Sequence, residues 1–246
     1  MYEIVFGIHV IESIIKNNIS IIKKIIIKNN QNNRLKLLQN KLKINGIKIH
    51  YANKNYLDKL SKSKKNQGVI AYIKEYKNKY NEKNISKIIK CNTNNNIFLI
   101  LNNIQDPRNL GACLRTAASI GISAVIITKN KSASITPLVR KISCGAIDKI
   151  PIIIVNNLLN TIKKFKKNNI NIIGLDEKSK NIIYKTKILL PIAIILGSEG
   201  NGINKTIKKE CDFLVSIPTL PTMSSLNVSV ATGVCLFEIT RQNKYI

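Results

Sequence analysis

Residues 97–121 read Ile97-Phe-Leu-Ile-Leu101 and then Asn102-Asn-Ile-Gln-Asp106-Pro-Arg-Asn109-Leu-Gly-Ala-Cys-Leu-Arg115-Thr-Ala-Ala-Ser-Ile-Gly121. Five consecutive apolar residues fit a strand buried on both faces, the kind that parallel sheets require. A polar loop follows at its C-terminal end, and then a run with helical spacing of apolar positions. Strand, loop and helix make half of a βαβ unit, and open α/β sheets hold ligands just beyond the C-terminal ends of their strands. Asn109 is expected to cap the helix. Gly111, Ala112, Ala117 and Ala118 leave the helix smooth enough for close packing, and Arg115 projects further along it. An ordinary βαβ crossover with a surface arginine accounts for the same spacing.

The alternation continues downstream. Strands are expected at 124–128, 152–155, 170–175, 192–196 and 213–217, with helices near 110–120, 136–144, 157–167 and 227–241. Residues 97–246 therefore read as a parallel-sheet α/β domain. Upstream, helical runs at 8–17, 33–43 and 53–61 alternate with β-branched runs at 21–27, 47–51 and 68–73, as in a small α/β domain over 1–75. The Lys/Asn-rich stretch 76–96 between them has little periodicity and reads as a linker with at most a helical turn at 86–90.

The chain has 246 residues with 40 Lys+Arg against 13 Asp+Glu, a net charge of +27. Such a balance suits a polyanionic partner. Yet 48 Ile, 35 Lys and 33 Asn dominate the chain, and these residues share A/T-rich codons, so the charge is discounted as a sign of RNA binding. Hydrophobic residues at 44% exclude a disordered chain. The longest apolar run, 188–196, is far short of the roughly 20 residues that span a bilayer, so no membrane helix is expected. The N-terminus lacks the pattern of a signal peptide and reads as mature protein. Five scattered cysteines, no C-x-x-C pair and only two histidines make a disulfide framework or a metal site improbable and point to reduced thiols in a cytoplasm.

The informative places are those that escape the Ile/Lys/Asn bias. Of the 32 Gly, Ala, Pro and Arg residues, 25 fall within 105–151, 191–202 and 217–241, which hold about a third of the chain. These residue types set backbone angles, permit close packing or supply a guanidinium fork, so three geometrically demanding stretches follow residue 100. The second is the strand Ile192-Ala-Ile-Ile-Leu196 running into Gly197-Ser-Glu199-Gly-Asn-Gly202. Its glycines let backbone N–H groups approach a ligand, but their spacing is neither the dinucleotide fingerprint nor a Walker loop. A plain turn with a solvated Glu199 remains open. The third, Ile217-Pro-Thr-Leu-Pro-Thr-Met-Ser-Ser225-Leu226-Asn227, is a two-proline loop with a polar cap on an apolar helix. All three place a loop after an apolar strand and are expected to converge on one pocket. A serine hydrolase is disfavoured because Ser198 lacks a G-x-S-x-G elbow and both histidines lie in the other domain.

The segments Asp106-Pro-Arg-Asn-Leu-Gly-Ala-Cys-Leu-Arg-Thr-Ala117, Ile195-Leu-Gly-Ser-Glu-Gly-Asn-Gly-Ile203 and Ser225-Leu-Asn-Val-Ser-Val-Ala231 resemble, in order and spacing, the three motifs of the SpoU/TrmH class of SPOUT RNA 2′-O-ribose methyltransferases. Gly7-Ile-His-Val-Ile-Glu-Ser13 and Gln67-Gly-Val-Ile-Ala71 are similar to the ribosomal-protein-like substrate-binding domain of the longer members. Residues 131–134, 139–146 and 227–238 are most similar to the branch that methylates a guanosine ribose in bacterial 23S rRNA, within the P-loop of the peptidyl transferase centre.

The resemblance implies S-adenosylmethionine as methyl donor, without a metal, in a C-terminal trefoil knot, and it implies a homodimer. It places cofactor contacts at Gly197, Ile217 and Leu226, and matches the family's catalytic residues to Asn109, Arg115, Glu199, Ser225 and Asn227. The family assigns proton acceptance to Arg115, which is awkward for a group with a pKa above about 12. Arg115 is therefore expected to orient the target phosphate and 2′-oxygen, with Glu199 and Ser225 holding a hydrogen-bond network and Asn109 and Asn227 fixing the loops. The chain departs from the family at Pro221, where members usually carry Gly. The alternatives are a tRNA guanosine 2′-O-methyltransferase and, from another class, a non-enzymatic RNA-binding protein.

Overall fold

A computed structural model describes residues 2–29, 32–74, 78–91, 95–220 and 225–243. Pro221 and Ser224 lie outside the described residues. The chain divides into two compact units, 1–77 and 78–246.

The first unit is built on a four-stranded sheet of β1 (Tyr2–Phe6), β2 (Ile22–Lys28), β3 (Ile49–Ala52) and β4 (Val69–Lys74), in the order β1-β4-β2-β3. Only β2 and β3 run parallel. Helices α1 (Ile8–Asn18) and α2 (Asn33–Ile44) bury Ile8, Ile11, Leu35, Leu38 and Leu42 against one face of the sheet. Helix α3 (Lys54–Ser61) seats Leu57 against Ile26 and Ile70 on the other. Asn32 and Asn53 cap α2 and α3 by accepting from the N–H groups of Leu35 and Tyr56.

In the second unit, α4 (Asn84–Cys91) precedes β5 (Ile97–Leu101), α5 (Pro107–Ile120), β6 (Ala124–Thr128), α6 (Pro137–Ile142), β7 (Ile152–Val155), α7 (Leu158–Lys166), β8 (Asn171–Leu175), β9 (Ile192–Leu196), α8 (Lys205–Glu210), β10 (Phe213–Val215) and α9 (Val228–Asn243). The six strands form one wholly parallel sheet in the order β10-β8-β9-β5-β6-β7. Its central strands β5, β6 and β9 are buried at every position, as their uninterrupted apolar sequences require. Helices α4, α7 and α8 share one core with the sheet, where Phe98 and Phe165 lie 4.7 Å apart between ring centroids. Helix α5 packs against α6 and α9.

Two local readings change. The boundary falls between Lys77 and Asn78, so α4, inside the stretch read as a linker, belongs to the second unit. Its Ile85 and Ile89, one turn apart, are buried there. Helix α5 begins at Pro107, and its cap is Asp106, whose carboxylate accepts from the Arg108 N–H at 2.7 Å. Asn109 is thereby released from capping to face the neighbouring loop.

Candidate active site

The C-terminal ends of β8 and β9 open onto a cavity of about 460 Å³. Leu175, Asp176, Glu177 and Lys178 at the end of β8 form one wall, residues 196–202 at the end of β9 another, and Ile217, Thr219, Ser225, Leu226, Asn227, Val228 and Ala231 the rest, with Lys208 reaching in from α8. The apolar strands end here because their continuation is Gly-rich or polar. The chain leaves the sheet where backbone groups lose their ladder partners.

The loop after β9 is folded tightly upon itself. Gly202 N–H donates to the Ser198 carbonyl at 2.8 Å, and Gly200 and Gly202 take φ of 83° and 60°. A Cβ on Gly197 would stand 2.0 Å from the Gly202 carbonyl carbon, so only glycine permits this crossing. The loop holds Glu199 at the cavity rim, where Asn109 of α5 donates from Nδ2 to its Oε1. Asn227 Nδ2 in turn donates to Asn109 Oδ1 at 3.1 Å. Asn227 also caps α9, its Oδ1 accepting from the Ser229 N–H at 2.9 Å and from Ser229 Oγ at 2.6 Å. Residues 118 positions apart thus form one relay, Ser229 to Asn227 to Asn109 to Glu199.

Of the residues picked out in the sequence, Gly197, Ile217, Leu226, Glu199, Ser225 and Asn227 line the cavity, and Asn109 joins it through Glu199. Arg115 stands apart. It lies six residues beyond Asn109 on α5, about 9 Å along the axis, is exposed, and its guanidinium makes no hydrogen bond or ion pair with the described residues. Sequence reasoning missed Asp176, Glu177 and Lys208. Asp176 Oδ2 pairs with Lys208 Nζ at 2.7 Å in the cavity wall. Three of the chain's 13 acids line this cavity. Acids being so scarce in this chain, the adjacent pair Asp176-Glu177 is the signal that could have found this wall.

Buried Cys113, one turn beyond Asn109, lies 3.2 Å from Thr232 Oγ1 between α5 and α9. Burial pushes its thiol up to about 11, so it is no thiolate nucleophile near neutral pH. Among the described residues no His/Cys/Asp/Glu group is arranged to hold a metal ion, and no helix is long and apolar enough to cross a membrane.

In the first unit the two stretches likened to a substrate-binding domain meet. Gly7 N–H donates to the Val69 carbonyl at 3.2 Å, and Ile8 N–H to Gln67 Oε1 at 2.8 Å. Arg34 Nη2 donates to exposed His9 Nε2 at 2.7 Å beside this junction.

The cavity is lined by loops after β8, β9 and β10, while the loop after β5, expected to share it, reaches it only through the Asn109–Glu199 bond. A parallel sheet with this cavity at its C-terminal edge and an N-terminal α/β unit agree with the families the chain matches. Residues 96–237 match the SpoU rRNA methylase family, and residues 4–79 match the RNA 2′-O ribose methyltransferase substrate-binding family. The chain belongs to the SpoU rRNA methylase family. Its relatives include two proteins named 23S rRNA (guanosine-2′-O-)-methyltransferase RlmB. The one from Haemophilus influenzae is 41% identical over 98% of both chains, and the one from Escherichia coli K12 is 37% identical over 98% of this chain and 99% of its own. Similar solved structures include an RNA 2′-O ribose methyltransferase, with a TM-score of 0.75, 21% identity and coverage of 98% of this chain and 88% of its own. Another is the SpoU methyltransferase AviRb from Streptomyces viridochromogenes in complex with AdoMet, at 0.74, 18%, 98% and 90%. At those identities the structures speak for the fold.

Proposed function

We propose that the protein transfers a methyl group from S-adenosylmethionine to the 2′-oxygen of a guanosine ribose in 23S rRNA. The observation that carries this reading is identity of 37–41% along nearly the whole chain, both units included, to relatives that bear that name. The P-loop of the peptidyl transferase centre is the target we assign within it.

The cavity suits the cofactor. Its glycine crossing at Gly197 brings backbone close to any occupant, Ile217, Leu226, Val228 and Ala231 offer an apolar surface to an adenosine, and Asp176, Glu177 and Glu199 suit a cationic ligand. When bound, S-adenosylmethionine supplies a methyl group on a sulfonium. The chain's part is alignment, which can be worth several kcal/mol when two reactants are held in attacking geometry. Glu199, Asn109 and Asn227 fix the rim of the cavity through their hydrogen bonds, with Ser225 beside them. The exposed guanidinium of Arg115 fits a phosphate and 2′-oxygen in a forked grip that lysine cannot reproduce.

We assign the N-terminal unit to RNA capture, and it carries the denser charge: 16 Lys+Arg against four acids in residues 1–77. A trefoil knot in the C-terminal unit, a homodimer and a cytoplasmic location complete the reading. The α9 face bearing exposed Val230 and Phe237, seven residues apart, is available for a second copy.

The test is to incubate the purified protein with S-adenosylmethionine and either a 23S rRNA transcript or bulk tRNA, and to map 2′-O-methylation by mass spectrometry. One methylated guanosine in the P-loop segment of the rRNA is expected. Methyl transfer confined to tRNA refutes the substrate, and no cofactor binding in calorimetry refutes the enzyme.

A further inference from the structure

An amide can turn either its oxygen or its nitrogen towards a neighbour, so two adjacent asparagines can run a hydrogen-bond chain in either direction. Here both ends are fixed by groups without that freedom. At the α9 end the Ser229 backbone N–H, which can only donate, stands 2.9 Å from Asn227 Oδ1, and Ser229 Oγ adds a second bond to the same oxygen at 2.6 Å. With Oδ1 so engaged, Asn227 presents Nδ2 to Asn109 Oδ1 at 3.1 Å. Asn109 then has its own Nδ2 for Glu199, and a carboxylate there can only accept. Every bond points the same way. Turning both amides over would set donor against donor at Ser229 and acceptor against acceptor at Glu199.

We infer that the Ser229 hydroxyl, the second donor on Asn227 Oδ1, holds this one-way relay in the sense that its backbone N–H fixes and makes Ser229 a positioning residue for methyl transfer, an inference that rests on the function proposed above. Ser229 is half-buried behind Asn227, does not line the cavity, and acts only through the amide it holds. Its effect is to engage one oxygen of Glu199 and leave Oε2 without a hydrogen-bond partner among the described residues, at the rim of the cavity assigned above to the cofactor.

The test compares wild type with Ser229→Ala, Ser229→Thr and Asn227→Asp, reading single-turnover methyl transfer, S-adenosylmethionine affinity by calorimetry and the urea midpoint. Losing one hydrogen bond of ordinary strength predicts a fall in rate of about three- to tenfold for Ser229→Ala, with cofactor affinity within twofold. Ser229→Thr recovers the rate to within twofold. Asn227→Asp keeps the cap on α9, and with it the urea midpoint, but has no donor for Asn109, so its rate falls further than that of Ser229→Ala. A Ser229→Ala enzyme at the wild-type rate, a loss that threonine does not rescue, or an Asn227→Asp enzyme at the wild-type rate overturns the inference. If wild type methylates no RNA, the proposed function fails on its own, and the relay is judged by stability. Ser229→Ala then lowers the urea midpoint more in wild type than in an Asn109→Ala background, and equal shifts in both overturn it.

Discussion

At Gly197 a single methyl group decides whether the loop after β9 can close. A Cβ there meets backbone of Gly202, which cannot step aside as a side chain can. Gly197→Ala is expected to weaken S-adenosylmethionine binding at least tenfold in calorimetry and to lower the melting temperature by several degrees; unchanged binding would separate the crossing from the cofactor site. Arg115 calls for a different experiment. Since the guanidinium offers a planar fork, Arg115→Lys and Arg115→Ala should both lose at least tenfold in single-turnover rate across the pH range, and a lysine variant near the wild-type rate would remove the guanidinium-specific role. The residues that escape the Ile/Lys/Asn bias made this scale legible, because glycine and arginine persist in such a chain where geometry demands them. Asp176 and Lys208 stayed hidden: they pair across 32 positions, and no spacing rule connects them.

Among the elements, the last helix is fastened at both ends. Its N-terminus is capped by Asn227, and near its C-terminus Glu238, 7% exposed, receives a forked pair of hydrogen bonds from Arg241, each 2.8 Å. Gln242 extends the clamp by accepting from the Ile188 N–H and donating to the Thr186 carbonyl. The Arg241 hydrogen bonds hold the Glu238 carboxyl below its ordinary value. A depressed acid stabilises the fold at pH values above its unfolded pKa, and that contribution is lost as pH falls through the folded pKa. Glu238→Gln should therefore cost about 1 kcal/mol near neutrality, read as a melting temperature lower by about 2–4 °C, and the gap from wild type should close as pH drops below about 4. The strong strands were legible because five-residue apolar runs have one good use in an α/β chain. Three elements were not. β1 is a half-exposed edge strand whose sequence carries Tyr2 and Glu3, and α8 buries only Ile207. Helix α4 hides its Ile85/Ile89 stripe among lysines and asparagines, residues that in this chain carry little structural information.

For the whole molecule, separate cores in the two units mean that each can hold its shape by its own burial. A fragment of residues 78–246 should keep S-adenosylmethionine affinity within about threefold while losing most of its affinity for 23S rRNA at physiological salt, measured by filter binding. Equal rRNA affinity of fragment and full chain would relieve the N-terminal unit of its assigned role. The total net charge of +27 is by itself a weak guide to this division, since the codon bias adds lysine to both units, and only its greater density in the first supports the assignment. The pairing of Gly7-Ile-His with Gln67-Gly-Val says more, because it joins two separate stretches through a glycine at φ 98° and a glutamine at φ 57°.

Asn227 belongs at once to a helix cap and to the rim of the cavity, and one side chain cannot serve two masters independently. Whatever tightens Asn109 and Glu199 also tightens the first turn of α9, where the Ala231 N–H bonds back to the Asn227 carbonyl at 2.9 Å. Amide hydrogens at the start of that helix are therefore expected to act as a built-in gauge of occupancy, exchanging with solvent more slowly when the cavity is filled than when it is empty.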